Sequence, residues 1–130
     1  MAVPDEPLDE PTRALCSELG YAFASSSLLL EALTHRSFKN ENPDSATGDN
    51  ERLEFLGDAV LSLIMSEELY ARHPEEPEGI LTTRRAAIVS TQGLARIARR
   101  LDLGGALVLG QGAENSGERE RGSVLAGVVE

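Results

Sequence analysis

Twelve residues near the middle of the chain, Asn50 to Leu61 (NERLEFLGDAVL), constrain the fold more than any others, because their side chains sort around a helix. Glu51, Glu54 and Asp58 stand at i, i+3 and i+7, within an arc of roughly 60° at about 100° per residue. Leu53, Leu56, Val60, Leu63 and Ile64 form a separate apolar stripe centred roughly 160° away, which is expected to face the core. The acidic side does not continue as a charged surface, since Leu61 and Met65 follow on it. Carboxylates gathered at that spacing could share hard divalent cations. The same row also fits a solvated acidic face in which Glu51 merely complements the helix N-terminus beside an Asn50 cap. Spacing alone leaves both readings open.

Around this segment the breakers mark out further helices. Residues 1–10 are expected to form a disordered, acidic, proline-bearing lead (MAVPDEPLDEP runs through it), and residues 11–130 a single domain. Helical spacing predicts a short helix over Thr12–Leu19, stopped by Gly20, then a second that is capped among Ser25, Ser26 and Ser27 and ends near Ser37. Lys39–Asp49 is rich in turn formers and reads as a surface loop. The central helix then runs from Asn50 to about Arg72, where His73-Pro74 and the EEPEG cluster break it. A helix from near Glu78 and another after Ser90-Thr91 follow, with Gly104-Gly105 closing the second. Glycine and charge dominate from Leu109 to Gly122, and a last helix starts at Ser123. No period-2 pattern occurs, so the fold class is all-α. Gly57, in the interior of the central helix, costs about 1 kcal/mol relative to alanine and calls for a close helix neighbour.

Composition narrows the classes. Cys16 is the only cysteine, which excludes an intrachain disulfide and a cysteine zinc cluster and suits the reducing cytosol. No stretch reaches membrane-spanning length and the N-terminus lacks a targeting pattern, so a cytoplasmic protein with no membrane partner is expected. A net charge of -10 argues against unaided nucleic-acid binding. Yet from Glu78 to Asp102 no acidic residue intervenes, while Arg84, Arg85, Arg96, Arg99 and Arg100 lie between them. The plainer reading of that strip is arginine on the wet faces of two amphipathic helices.

The chemistry open to the chain is limited. His35 and His73 are the only histidines, and neither follows a glutamate by three residues, so a carboxylate-bridged di-iron site is missing. Oxygen-only ligation favours Mg2+ or Mn2+, ions that polarise phosphoryl oxygens and activate water. His35 reads as a capping or core residue and Cys16 as a small core residue.

Taken with its flanking blocks, NERLEFLGDAVL resembles the signature of the ribonuclease III family. LGYAF, LLLEALTHRSF, EGILTTRRAAIVS, LARIARRLDLG, LGQGAENSG and SVLAGVVE follow in the order of that family's catalytic domain, from about residue 15 onwards. The resemblance implies an all-α, homodimeric, Mg2+-dependent endoribonuclease, with Mn2+ as a possible substitute. Such an enzyme hydrolyses double-stranded RNA to 5′-phosphate and 3′-hydroxyl ends in rRNA and mRNA precursor processing. It implies Glu54 as a metal ligand, Asp58 and Glu130 as ligands and catalytic residues, Glu51 and Glu78 as outer or substrate-facing acids, and Phe55 as an aromatic knob at the dimer contact.

The departures are equally specific. Gly127 stands where the resemblance places an aspartate, three residues before Glu130, and has no side-chain ligand to offer. The loop motif reads Gly110-Gln111-Gly112-Ala113, with Glu114 displaced by one. With Glu130 in its last helix, the chain is expected to be a C-terminally truncated catalytic domain with an incomplete final helix and without a double-stranded-RNA-binding domain. The alternative these departures suggest is a catalytically impaired relative serving as a dimeric RNA-binding or ribosome-associated scaffold.

Overall fold

The helix α4, Glu51–Arg72, is the longest element of a computed structural model that describes residues 7–130. It follows α1 (Glu10–Leu19), α2 (Ser26–Leu33) and α3 (Arg36–Glu41) and precedes α5 (Glu78–Val89), α6 (Thr91–Arg100), α7 (Leu103–Ala106), α8 (Gln111–Asn115) and α9 (Gly122–Val129). A single 3-10 turn, Glu118–Glu120, leads into α9. The architecture is all-α, as expected, and the described residues contain no strand, only an isolated bridge between Thr34 and Val108.

The core is built on α6. Leu94, Ala95 and Ala98 are almost wholly buried, and the two alanines present a narrow face on which α9 packs closely. Leu15 of α1, Leu29 and Leu33 of α2, Leu103, Ala106 and Leu107 around α7, and Leu125 of α9 complete one contiguous cluster. Cys16 is half-buried against it.

The central helix departs from expectation on its apolar side. Leu56, Val60, Leu63 and Ile64 are 59, 47, 68 and 50% exposed, and Leu69 is the one residue of α4 that is buried. The stripe therefore does not face this chain's own core. α4 rests on α5 and touches α9, while the core has been completed by α6 and α9 without it.

Several ends also shift. The expected lead over residues 1–10 lies outside the described residues for its first six; beyond them, Asp9 caps α1 by accepting from the Thr12 amide at 2.9 Å, so α1 starts two residues earlier than its apolar spacing shows. The expected second helix is two: the chain leaves α2 at Thr34 because the Val108 amide donates to the Leu33 carbonyl and the His35 amide to the Val108 carbonyl, both at 2.9 Å. His35 then caps α3, its Nδ1 accepting from the Ser37 amide at 3.2 Å, and α3 takes the first residues of the expected loop. Asn50 lies at the start of α4 without capping it; its buried amide donates to the Ala32 carbonyl at 3.1 Å, and Asp49 accepts from the Glu51 amide instead. Gly104-Gly105 lies inside α7 rather than at the end of α6.

Candidate metal centre and the cleft beside it

Two helices bring the acidic side chains together where they meet. Gly57 of α4 faces the end of α9: a Cβ at this position would stand 1.6 Å from the Glu130 carbonyl oxygen. The glycine expected to need a close helix neighbour has one, and backbone lies on backbone. One turn back on each helix, Glu54 lies against buried Gly127, whose Cβ would be 2.8 Å from Glu54 Oε2. The pairs 54 with 127 and 57 with 130 place Glu54, Asp58 and Glu130 on one side of the crossing.

The electrostatics follow from that crowding. Burial pushes the Glu130 carboxyl above the usual glutamate range, the negative charges of Asp58 and Glu54 push it further, and a side-chain hydrogen bond with Asp58 acts in the same direction. Two carboxyl groups can share a hydrogen bond only while one of them keeps a proton. A bound cation would relieve this repulsion, and the all-oxygen donor set suits a hard divalent ion. Among the described residues, however, no three such side chains already meet as a cage for a metal ion. The donors fit by chemistry and proximity, one ligand short at Gly127.

Beside the crossing opens a polar cleft of about 470 Å³, bordered by Glu51, Glu54, Arg36, Asn40, Glu118 and Arg121 among others. Glu51 is exposed and pairs with Arg36 across 3.4 Å. The second wall is tied to the first by α3: Ser37 Oγ accepts from the Gly110 amide at 2.9 Å, and the Glu41 carboxylate accepts from the Gln111 and Gly112 amides at 2.7 and 3.0 Å. These two bonds from the start of α8 hold the Glu41 carboxyl below the usual glutamate range.

The structure distributes the remaining candidates unevenly. Glu78 is exposed in the first turn of α5 and is not among the residues bordering the cleft. Phe55 is 84% exposed. Glu114 does not enter the cleft, where Ala113 stands; it accepts a two-pronged bond from Arg119 at 2.9 and 2.7 Å, while Arg119 also donates to the Gly104 and Leu107 carbonyls. A one-residue displacement turns a side chain by about 100° on a helix, which is enough to send this acid elsewhere. Of the five strip arginines, Arg84 is paired with Glu76 and Arg85 donates to Ser66, leaving Arg96, Arg99 and Arg100 on the outer face of α6. Arg36, Arg121 and Glu41 were missed from sequence, because nothing in their spacing shows that α3, α4 and the approach to α9 share a cleft.

The similarities to known proteins extend over nearly the whole chain. Residues 25–130 match the family model described as ribonuclease-III-like. Ribonuclease 3 of Myxococcus xanthus is 50% identical over 93% of this chain and 46% of its own length, and that of Desulforamulus reducens 49% identical over 94% and 50%. The chain thus spans about half the length of these curated relatives. Two crystal structures of the nuclease domain of ribonuclease III from Campylobacter jejuni superpose with TM-scores of 0.82 and 0.80 at 38 and 40% identity, covering 93 and 89% of this chain and 78 and 77% of theirs. One of them is described for structural flexibility in a region involved in dimer formation. With its helices laid out as in those nuclease domains and its sequence matching through Glu130, this chain belongs to the ribonuclease-III-like family.

Proposed function

We propose that this chain is the nuclease domain of a divalent-cation-dependent endoribonuclease that hydrolyses phosphodiester bonds of double-stranded RNA to 5′-phosphate and 3′-hydroxyl ends, in rRNA and mRNA precursor processing in the cytoplasm. The observation that carries this reading is the α4–α9 crossing, which gathers Glu54, Asp58 and Glu130 and raises the Glu130 carboxyl. Glu54, Asp58 and Glu130 would hold Mg2+, or Mn2+ in its place. When bound, such an ion supplies polarisation of a phosphoryl oxygen and activation of water for in-line attack. Glu130 gives up its shared proton as the cation binds, and Asp58 and Glu130 then orient the attacking water. Glu51 and Glu78 serve from farther out, Glu51 on the cleft wall and Glu78 from the start of α5.

A homodimer is part of the same reading. The exposed stripe Leu56, Val60, Leu63 and Ile64, with Phe55 at its edge beside a hollow bordered by Leu53 and Leu56, is the kind of apolar patch a monomer rarely leaves in water. A dimer also sets two acidic centres in one particle, as cutting both strands of a duplex requires. No helix among the described residues is long and apolar enough to cross a membrane.

The test is cleavage of an end-labelled RNA duplex in Mg2+ by the chain, by Asp58→Asn and by Gly127→Asp. The chain should yield 5′-phosphate products, Asp58→Asn should yield none, and Gly127→Asp should cut at least about tenfold faster, as restored metal-site groups commonly do. Absence of cleavage by both the chain and Gly127→Asp would sink the endonuclease reading.

A further inference from the structure

Glu54 is placed in a way that an ordinary exposed acid is not. A Cβ at Gly127 would lie 2.8 Å from Oε2, 2.9 Å from Cδ and 3.0 Å from Oε1 of Glu54. Three nearly equal distances mean that the carboxylate lies flat over the point where a side chain at 127 would begin. Crowding by backbone does not force it there. The backbone contact of α9 on α4 is made at Gly57, whereas the atoms over Gly127 are the far end of a flexible side chain with the open cleft beside it. Among the described residues no donor is paired with this half-buried carboxylate, so its place is not set by a bond to another side chain.

We propose that Glu54 takes over the role of the carboxylate missing at position 127. It occupies the space such a group would need and supplies the oxygen ligands on the α9 side of the cation site, so that Glu54 and a carboxylate at 127 are alternatives rather than additive ligands. The inference rests on the metal-centre reading above. It differs from that reading in what it demands of position 127: the buried glycine is the condition for Glu54 to reach α9. Any Cβ there displaces the Glu54 carboxylate toward the cleft, and only an aspartate brings a replacement.

Binding of Mn2+ alone, read as loss of the free-ion electron paramagnetic resonance signal, tests this without RNA and without turnover. Gly127→Ala is the decisive variant. Alanine is the better helix former, so the variant keeps the fold, and its melting temperature should not fall. Its Mn2+ affinity should drop by about tenfold or more, the scale on which displaced metal-site groups act. Glu54→Gln should weaken binding by about a hundredfold in the native background but by less than about threefold when combined with Gly127→Asp, the non-additivity expected of groups sharing one space. Unchanged affinity in Gly127→Ala, or an equal loss from Glu54→Gln in both backgrounds, would overturn the inference while leaving the metal centre in place. Absence of Mn2+ binding by every one of these chains, Gly127→Asp included, would overturn both.

Discussion

Gly57 shows how much a missing side chain can decide. Gly57→Ala would drive a methyl group into the Glu130 carbonyl, and such overpacking costs about 1–3 kcal/mol. Gly79, in the first turn of α5, meets nothing within 4 Å, so Gly79→Ala should instead stabilise by about 0.5–1 kcal/mol. Urea unfolding of the two variants should move in opposite directions, with only Gly57→Ala losing Mn2+. Glu130 gives a second expectation. Its carboxyl is raised in the folded state, so its contribution to stability is complete below the pKa of an unfolded glutamate and is lost as pH rises through the folded value. Without a cation, Glu130→Gln should therefore melt higher than the native chain at about pH 7 and with it at about pH 3.5. Equal differences at both pH values would remove the electrostatic explanation. That Gly57 needed a neighbour was legible in the sequence, since an interior helix glycine is costly; that the neighbour is the α9 backbone at Glu130 was not.

Helices were readable where local chemistry ends them and opaque where distant chemistry does. α4, α5 and α6 fall close to their expected ranges because His73-Pro74 and the Ser90 cap are written beside them. The break between α2 and α3 depends on hydrogen bonds from Leu33 and His35 to Val108, a partner no local pattern identifies. The Glu41 clamp on α8 is of the same distant kind. Its carboxyl is held low by the Gln111 and Gly112 amides, so its contribution is present above the unfolded glutamate pKa and fades as pH falls through the folded value. Glu41→Gln should speed hydrogen exchange at the Gln111 and Gly112 amides by about tenfold while amides of α6 stay protected. Uniform loss of protection would mean that the clamp supports the whole domain rather than one wall of the cleft.

At the scale of the whole molecule, amphipathicity gave the direction of α4's apolar stripe but not what covers it. The five stripe residues read as core, and the structure leaves four of them more than two-fifths exposed. Helical periodicity reports that a face avoids water; it cannot distinguish a chain's own core from a second copy. Leu63→Glu, at 68% exposure, should leave the fold intact and shift sedimentation from dimer to monomer at micromolar concentration. A chain that sediments as a monomer before substitution would remove α4 as a dimer face. The acidic row was legible as a metal site only in part, since Glu54 and Asp58 share a helix with their spacing on view, whereas Glu130 joins them through a crossing formed in three dimensions.

That crossing also fixes when the molecule becomes capable of chemistry. Asp58 and Glu130 are distant in sequence, so the acidic centre is a non-local contact that forms late, after the loop between α4 and α9 has been closed by the packing of α6. A chain emerging from a ribosome, itself made largely of RNA, carries α4 long before α9. Until α9 docks, Glu54 and Asp58 are two solvated acids on a helix, and the nascent chain is harmless to the RNA around it.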